Sequence, residues 1–255
     1  MNDVNMQAME TRARAPSRAS YHHGDLRNAL LQAALKLVAR KGVEGFSLRE
    51  AARAVGVSPA AAYRHFEDRS ALLAALAIEG LARLAVEMEE AIERAPGTPG
   101  SPSRAAAELS AIGTAYVEFA VANPSHFRVM FGPWCEHPQP GDLPPESFSR
   151  GRDPFHILVE TLDGMVRTGA ITPAARAGAE IAAWSAVHGL SSLLVDGAFA
   201  LDRAERAQAM GLLLRTLLHG LGAAPAVIGP AVPVPTVDPR PEKARRRAAA
   251  ARKPR

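Results

Sequence analysis

The chain has 255 residues, of which 47% are hydrophobic and 22% are charged, and these are ordinary values for a globular protein that buries one large core or two small ones. Aromatic residues reach only 5%, which argues against a β-sandwich or barrel and favours helices. The formal net charge of +4 is segregated, with +4 on residues 1–76, −7 on residues 77–239 and +7 on residues 240–255, so a polyanion is expected to meet the two ends.

Residues 1–20 form a polar arm that we expect to be disordered, and they lack the apolar core of a signal peptide. Two later stretches carry no Asp, Glu, Lys or Arg. Residues 181–195 are too few to span a bilayer, and residues 216–237 contain four prolines, which forbid a regular helix. The sequence therefore predicts a cytoplasmic protein with no membrane partner.

Three helices are predicted after the arm. Apolar side chains recur at every third or fourth position over residues 25–41, which is the pattern of an amphipathic helix. Ser47 and Glu50 have the spacing of a capping box and begin a second helix. Ser58, followed by proline, begins a third helix that we expect to close near Phe66. Two helices joined by a short glycine-containing turn are typical of a helix-turn-helix.

The remainder of the chain is also predicted to be helical. Asp68 caps a long helix that runs to about residue 94, where a segment rich in proline and glycine begins. Asp202 and Glu205 have the spacing of a second capping box. Further helices are predicted at residues 103–123, 125–131, 154–169, 172–198 and 202–219, with a loop over 132–153.

The fold class is therefore all-α, in four segments. We predict a disordered arm over residues 1–20, an N-terminal three-helix helix-turn-helix domain over 21–70, a C-terminal helical domain over 71–221, and a disordered Pro/Ala-rich and basic tail over 222–255. A tail that is merely solvated is the plainer alternative to one that meets a polyanion.

Four motifs in the first part of the chain resemble one family. They are YHHGDLR at residues 21–27, FSLRE at 46–50, VGVS at 55–58 and YRHF at 63–66, followed by Arg69, Leu72 and Leu73. Together they resemble the DNA-binding domain of TetR-family transcriptional regulators. Two later segments, NPSHFRVMFGP at 123–133 and WSAVHG at 184–189, resemble the C-terminal domain of a branch of that family with a Trp–His–Gly signature.

The resemblance assigns DNA contacts to the second and third helices. Phosphate contacts fall to Ser47, Ser58, Tyr63, His65 and Arg69, and base contacts fall to Ala60, Ala61 and Arg64. Hydroxyl groups at helix starts suit phosphate because the exposed amides and the helix dipole already attract anions there. Since alanine offers only methyl contacts, polar readout is expected from Arg64 and Arg49, with Tyr63 as a further candidate. A helical hairpin with a solvated charged face is the alternative.

The same resemblance implies that the C-terminal domain senses a small molecule and forms a homodimer. Pockets of this kind are mostly apolar and carry a few placed polar groups. The residues that we predict to line one are Tyr116, Phe119, Phe127, Met130, Leu158, Leu162, Trp184 and His188. The alternative for each of them is a place in the core. The helices predicted at 172–198 and 202–219 carry more apolar side chains than one buried face needs, and they predict the dimer interface.

We therefore predict a ligand-responsive DNA-binding regulator that is not an enzyme and is, by its resemblance, a repressor. It would bind a palindromic double-stranded DNA operator as a homodimer and be released by a small, mostly apolar effector.

No cofactor or metal is predicted, since His156 and Glu160 share a helix face without a third ligand. The single cysteine, Cys135, excludes an internal disulfide and leaves a redox-sensing thiol open. A helical small-molecule-binding protein or enzyme, and a non-specific nucleic-acid binder driven by the tail, are the alternatives.

Overall fold

Helices dominate the part of the chain that this computed structural model describes, residues 23–132 and 143–229, and no strand occurs among those residues. The all-α prediction is confirmed. The helices are α1 (His23–Lys41), α2 (Leu48–Val55), α3 (Pro59–Tyr63), α4 (Arg69–Arg94), α5 (Pro102–Ala122), α6 (Pro124–Phe131), α7 (Pro154–Arg167), α8 (Pro173–Arg176), α9 (Ala179–Val195), α10 (Arg203–Gly220) and α11 (Pro225–Ile228), with a 3₁₀ turn at Pro145–Ser147.

Polar caps begin several helices at the places that the sequence predicts. At the start of α2 the hydroxyl of Ser47 accepts the Glu50 N–H (3.2 Å), and the Glu50 carboxylate accepts the Ser47 N–H (3.0 Å). The same reciprocal pair joins Asp202 and Glu205 at the start of α10, at 2.9 and 2.8 Å. Both predicted capping boxes are confirmed. Each of them satisfies amides that have no partner within their own helix.

The helix predicted over residues 172–198 is in fact two helices, α8 and α9. Between them Gly178 adopts a φ of +74°, a left-handed conformation that only glycine takes without steric cost, and this residue is the N-cap of α9. Ala177 before it is extended, so α8 ends after four residues. The third predicted helix is also shorter than expected, because α3 ends at Tyr63 with Arg64 as its C-cap.

The tail that the sequence predicts to be disordered from residue 222 contains a helical turn. Residues 225–228 form the single turn α11, which packs against α5 and α10. Its side chains Val227 and Ile228 lie against the buried core, and Nη1 of Arg215 donates to the carbonyl of Gly229 (2.7 Å). The other segments predicted to be disordered, residues 1–20 and 230–255, lie outside the described residues, and so do residues 133–142 of the predicted loop, which include Cys135.

Two clusters of buried side chains hold the helices together. The N-terminal core is built by α1, α2, α3, the first turns of α4 and Val129 of α6, and the C-terminal core by the rest of α4 with the helices that follow it. Because α4 contributes Leu72, Leu73 and Ala77 to the first core, that core extends beyond the domain boundary predicted at residue 70. We call residues 23–77 the N-terminal module and the described residues after it the C-terminal module.

Helix α5 runs through the centre of the C-terminal module. Among the described residues it is the helix whose length and composition would allow it to cross a membrane. Half of its most apolar window is buried against other helices, as in the core helix of a globular domain. Arg206 of α10 pairs with Glu118 of α5 through two hydrogen bonds of 3.0 Å, which adds a charged contact to this packing.

Candidate functional site

Helices α2 and α3 are held at an angle by one turn that requires glycine. Gly56 ends α2 with a φ of +80°, where any side chain would be strained, and its N–H is shared between the carbonyl groups of Ala52 and Arg53. On the inner faces, Ala51 and Ala62 are fully buried. The opposite faces of both helices are therefore turned outwards.

Three arginines lie on this outer face without partners of their own. Arg49, Arg53 and Arg64 are exposed, and none of them makes a hydrogen bond or ion pair with the described part of the chain. Beside them Tyr63 is 46% exposed, although an aromatic ring of that size is usually buried. Guanidinium groups without a hydrogen bond and an exposed phenol are donors that can bind phosphate oxygens and base edges.

The two cap serines keep one donor each for a ligand. The Oγ atoms of Ser47 and Ser58 each accept an N–H from three residues further on, so the hydroxyl proton is free to be donated outwards. Of the other residues predicted to contact DNA, Ala60 is exposed, whereas Ala61 and His65 are half-buried. The exposed residues among the predicted DNA contacts are therefore Ser47, Arg49, Ser58, Ala60, Tyr63 and Arg64.

An ion pair with α1 fixes the orientation of α2. Nζ of Lys41 lies 2.7 Å from Oε1 of Glu50, while the second oxygen of Glu50 closes the capping box on Ser47. These two hydrogen bonds, from Lys41 first and then from the backbone of Ser47, hold the pKa of Glu50 below its ordinary value. The carboxylate therefore keeps its charge, and with it the link between the two helices.

Arg69 differs from the other predicted phosphate contacts because it is already engaged. Its Nη1 donates to the backbone carbonyl groups of Val43 and Glu44, at 3.3 and 3.1 Å, and the residue is half-buried. These carbonyls belong to the turn between α1 and α2, so Arg69 ties the start of α4 to that turn. Only its remaining N–H groups are left for a phosphate, and its main contribution in the structure is to the N-terminal module itself.

We expect Arg69→Ala to destabilise the N-terminal module by about 1–2 kcal/mol, because two carbonyl groups lose their donor. The measurement is the free energy of unfolding in urea. Arg53→Ala is the matched control, since it removes an arginine without these contacts and should change stability by less than about 0.5 kcal/mol. Equal stability of the two variants would contradict a structural role for Arg69.

A cavity of about 250 Å³ lies between α4, α5, α6, α7, α9 and α10, and its described lining residues belong to the C-terminal module except for Ala74 and Ala77. Four of the eight predicted pocket residues line it, namely Tyr116, Met130, Leu158 and Trp184. The other four, Phe119, Phe127, Leu162 and His188, do not. The wall also includes aromatic rings that the sequence analysis did not select, Phe131 and Phe155.

Three of the four side chains that do not line the cavity are buried at other positions. Phe119 is 1% exposed and lies under the guanidinium of Arg83, 6.0 Å from the ring centre. Leu162 is fully buried in the core, and Phe127 stands edge-on to the ring of Tyr116 at 6.2 Å. Helical spacing shows that such residues are buried, but it does not show whether the buried face meets a neighbouring helix or an open volume.

Tyr116, Trp184 and His188 form one hydrogen-bonded group at the cavity wall. Nε1 of Trp184 is 3.3 Å and Nδ1 of His188 is 2.9 Å from the Tyr116 hydroxyl oxygen. The indole N–H can only donate, so the phenol oxygen accepts it, whereas the donor in the hydrogen bond between Tyr116 and His188 depends on the histidine tautomer. Burial raises the pKa of Tyr116 and lowers that of His188, which keeps both groups neutral. Nε1 of Trp184 and Nδ1 of His188 thus share the Tyr116 hydroxyl as their partner.

Arg150 and Arg152 hold the segment before α7 against α4. Glu89 of α4 is only 4% exposed and pairs with Arg150 (3.3 Å) and Arg152 (2.9 Å). Arg150 also reaches Glu93, and Arg152 reaches Glu160 at 2.6 Å. This network positions the following residues, Asp153 to Phe155, which line the cavity.

Helix α6 connects the cavity with the N-terminal module. Its Val129 is fully buried in the N-terminal core, and the next residue, Met130, lines the cavity. The helix lies directly against α4 at Gly80, where a Cβ atom would stand 2.6 Å from Sδ of Met130 and 3.3 Å from the ring of His126. The absence of a side chain at Gly80 therefore allows α6 and α4 to lie in direct contact at this point.

Two family models match the chain. Residues 30–76 match the model described as bacterial regulatory proteins of the tetR family, and residues 109–217 match one described as a tetracyclin repressor-like C-terminal domain. Together these segments contain both the outer face of α2 and α3 and most of the cavity wall.

Solved structures resemble the chain over most of its length. A protein from Rhodococcus sp. RHA1, described as having unknown function, is 34% identical with a TM-score of 0.63, over 80% of this chain and 99% of that one. A regulatory protein of the tetR family from Rhodococcus RHA1 is 21% identical, with a TM-score of 0.55 over 78% and 98% of the two chains. An uncharacterized HTH-type transcriptional regulator of Bacillus subtilis, YobS, is 27% identical over 99 residues, 39% of this chain; the match spans about half (48%) of that relative's length.

Proposed function

The chain belongs to the TetR family of transcriptional regulators, and from that premise we propose that it acts as a cytoplasmic repressor, which binds a palindromic operator as a homodimer and leaves it when a small, mostly apolar effector fills the cavity. The observation that carries the proposal is the outer face of α2 and α3, where Arg49, Arg53 and Arg64 stand exposed without partners in the described part of the chain, beside two serine-capped helix starts. Such a face is suited to a DNA groove and its flanking phosphates.

Exposed apolar side chains on α9 and α10 support the homodimer. Ile181 and Leu193 on α9 are 69% and 41% exposed, and Leu212 on α10 is 40% exposed. Apolar side chains of this size on adjacent helices are stable in water when a second copy covers them, and a two-fold interface uses the same surface on both subunits. The pair of subunits then presents two copies of α3 to two half-sites of a palindrome.

Helix α6 supports the proposed response to an effector. A ligand that displaces Met130 acts on the helix whose Val129 is part of the N-terminal core, so the two modules move relative to each other. The effector then favours the arrangement in which the two copies of α3 no longer match the spacing of the half-sites.

Binding-site selection with the purified full chain tests this function. A collection of random DNA duplexes should yield one palindromic sequence. The affinity for that sequence should fall with rising salt more steeply than neutralisation of a single phosphate would produce. Enrichment of no sequence, with binding that disappears uniformly as salt is raised, would indicate a non-specific nucleic-acid binder. Absence of any DNA binding would leave a small-molecule-binding protein or enzyme as the function of the cavity.

We expect Arg64→Ala to relax the preference at one base pair in each half-site. An arginine on this helix can donate two hydrogen bonds to guanine, which is worth about 1–3 kcal/mol of discrimination. The measurement is a titration of the selected operator and of its single-base variants. Arg53→Ala, on α2, is the comparison, since a phosphate contact there should weaken all of these duplexes about equally. A uniform loss with Arg64→Ala would contradict base reading by this residue.

A further inference from the structure

A second concave surface of the C-terminal module is an open groove of about 870 Å³ between α4, α5 and α11. None of the described residues that line this groove also lines the cavity. Its floor along α5 is built from alanine, serine and threonine, and the hydroxyl groups of Ser110 and Thr114 donate to backbone carbonyl groups of their own helix, at 2.9 and 2.8 Å. The floor therefore presents small side chains, which an extended chain can approach closely.

The chain itself enters this groove where the described residues end. Val227 and Ile228 of α11 line the groove, and the carbonyl of Gly229 accepts a hydrogen bond from Nη1 of Arg215 (2.7 Å). The next residues, 230–237, contain three prolines and three valines and no charged residue. Because proline lacks an N–H and disfavours helix, such a sequence favours an extended chain that binds a surface through its apolar side chains.

The length of residues 230–237 fits the length of the groove. At about 3.1 Å per residue, eight extended residues reach about 25 Å. Helix α5 borders the groove from Ser103 to Glu118, which is about 22 Å at the helical rise of about 1.5 Å per residue. Residues 230–237 are thus long enough to follow the groove and to bring the basic residues after them to its carboxylates.

The groove also carries negative charge that lacks a partner. Two of the carboxylates that line it, Glu90 and Glu118, each bind an arginine, at 2.8 and 3.0 Å. The third, Glu87, has no hydrogen bond or ion pair with the described part of the chain, and burial raises its pKa above the ordinary value. A cation beside Glu87 would compensate for the hydration that this carboxylate has lost. Residues 240–255 offer such cations, with eight basic residues and one acidic residue.

From these observations we propose that the chain's own terminal segment, residues 230–255, occupies the groove, with residues 230–237 along α5 and the basic residues that follow against Glu87 and Glu90. Because α11 already holds the start of this segment in the groove, docking is intramolecular and needs only weak contacts. The basic residues are then held by the acidic C-terminal module of the same chain instead of by DNA. This proposal does not depend on the proposed function, since it involves no residue of α2 or α3.

Carbodiimide cross-linking of the full chain without DNA, followed by mass spectrometry, tests the proposal. The reagent joins a lysine amine to a carboxylate in contact with it. The chain has four lysines, of which Lys36 and Lys41 lie on α1 and Lys243 and Lys253 in the terminal segment. We expect Lys243 to be joined mainly to Glu87 or Glu90. Cross-links of Lys243 that are spread over carboxylates outside the groove, or no cross-link to the groove, would overturn the proposal.

A mixture of isotope-labelled and unlabelled chains distinguishes docking within one chain from docking on a second copy. After the subunits have exchanged, the two halves of each cross-linked peptide pair should carry the same label. Pairs that combine a labelled and an unlabelled half would overturn docking within one chain and would show that two copies exchange their terminal segments.

Thr114→Trp provides a variant that fills the groove. Thr114 is exposed on α5, so the indole ring can occupy the groove without repacking the core. The yield of the Lys243 cross-link should fall about fivefold or more, because the terminal segment loses apolar contacts. Ser149→Trp is the control, since Ser149 is also exposed but does not line the groove, and it should leave the yield unchanged. Equal yields in the two variants would overturn the proposal, and the cross-links of the unaltered chain test it without depending on the folding of either variant.

Discussion

Leu212→Glu is expected to convert the protein to a monomer and to lower its affinity for a two-half-site operator by about a hundredfold or more. Leu212 stands 40% exposed in the middle of α10, on the face that we propose to meet the second subunit. In a two-fold interface the substitution buries one carboxylate from each subunit against apolar side chains, where it loses its hydration without gaining a counter-ion. Without the partner subunit, each half-site binds independently and the gain from linked binding is lost.

The measurements are sedimentation at micromolar concentration and a mobility-shift titration on the selected operator. Val86→Glu is the matched control, because Val86 is equally exposed at 38% but lies on α4, away from α9 and α10. It should remain dimeric with unchanged affinity. A Leu212→Glu protein that stays dimeric, or a monomer that keeps full operator affinity, would show that this face does not form the interface or that the dimer is not needed.

The second large effect is expected from Phe66→Ala, which should unfold the N-terminal module. Phe66 is 4% exposed at the meeting point of α1, α3 and α4, and the guanidinium of Arg27 lies 5.2 Å from its ring centre. Removing such a ring costs about 3–5 kcal/mol. At roughly 0.05–0.15 kcal/mol per residue, a unit the size of residues 23–77 has only a few kcal/mol of stability to lose.

Hydrogen exchange measures this loss module by module. Amides of α2 and α3 should lose protection in Phe66→Ala, while those of α5 and α9 keep it, because the C-terminal core does not include Phe66. Phe66→Leu keeps most of the volume, so it should cost no more than about 1.5 kcal/mol and retain DNA binding. Equal loss of protection in both modules would mean that the two cores unfold as one unit through α4.

Local chemistry made much of the secondary structure predictable from the sequence. The capping boxes at Ser47 and Asp202, and the glycine turn before Ser58, depend on neighbours within a few residues, and the structure has them where the sequence places them. The break between α8 and α9 at Gly178, which the sequence analysis did not predict, also depends on local chemistry. It was obscured because the apolar pattern continues across it, whereas the left-handed backbone at that glycine ends one helix and begins the next.

Only the tertiary structure decided which buried side chains line a cavity and which arginines are free. Arg64 and Arg69 are equally basic in the sequence, yet Arg64 is exposed and Arg69 is bound to carbonyl groups of a turn 25 and 26 residues away in the chain. In the same way Tyr116 lines the cavity and Phe119 fills the core, although both are buried on one helix. The pattern along a helix determines only that a face is buried. What covers that face depends on how distant helices pack, and for this reason the sequence could predict a cavity in the C-terminal part of the chain, whereas only the structure identifies the side chains that line it.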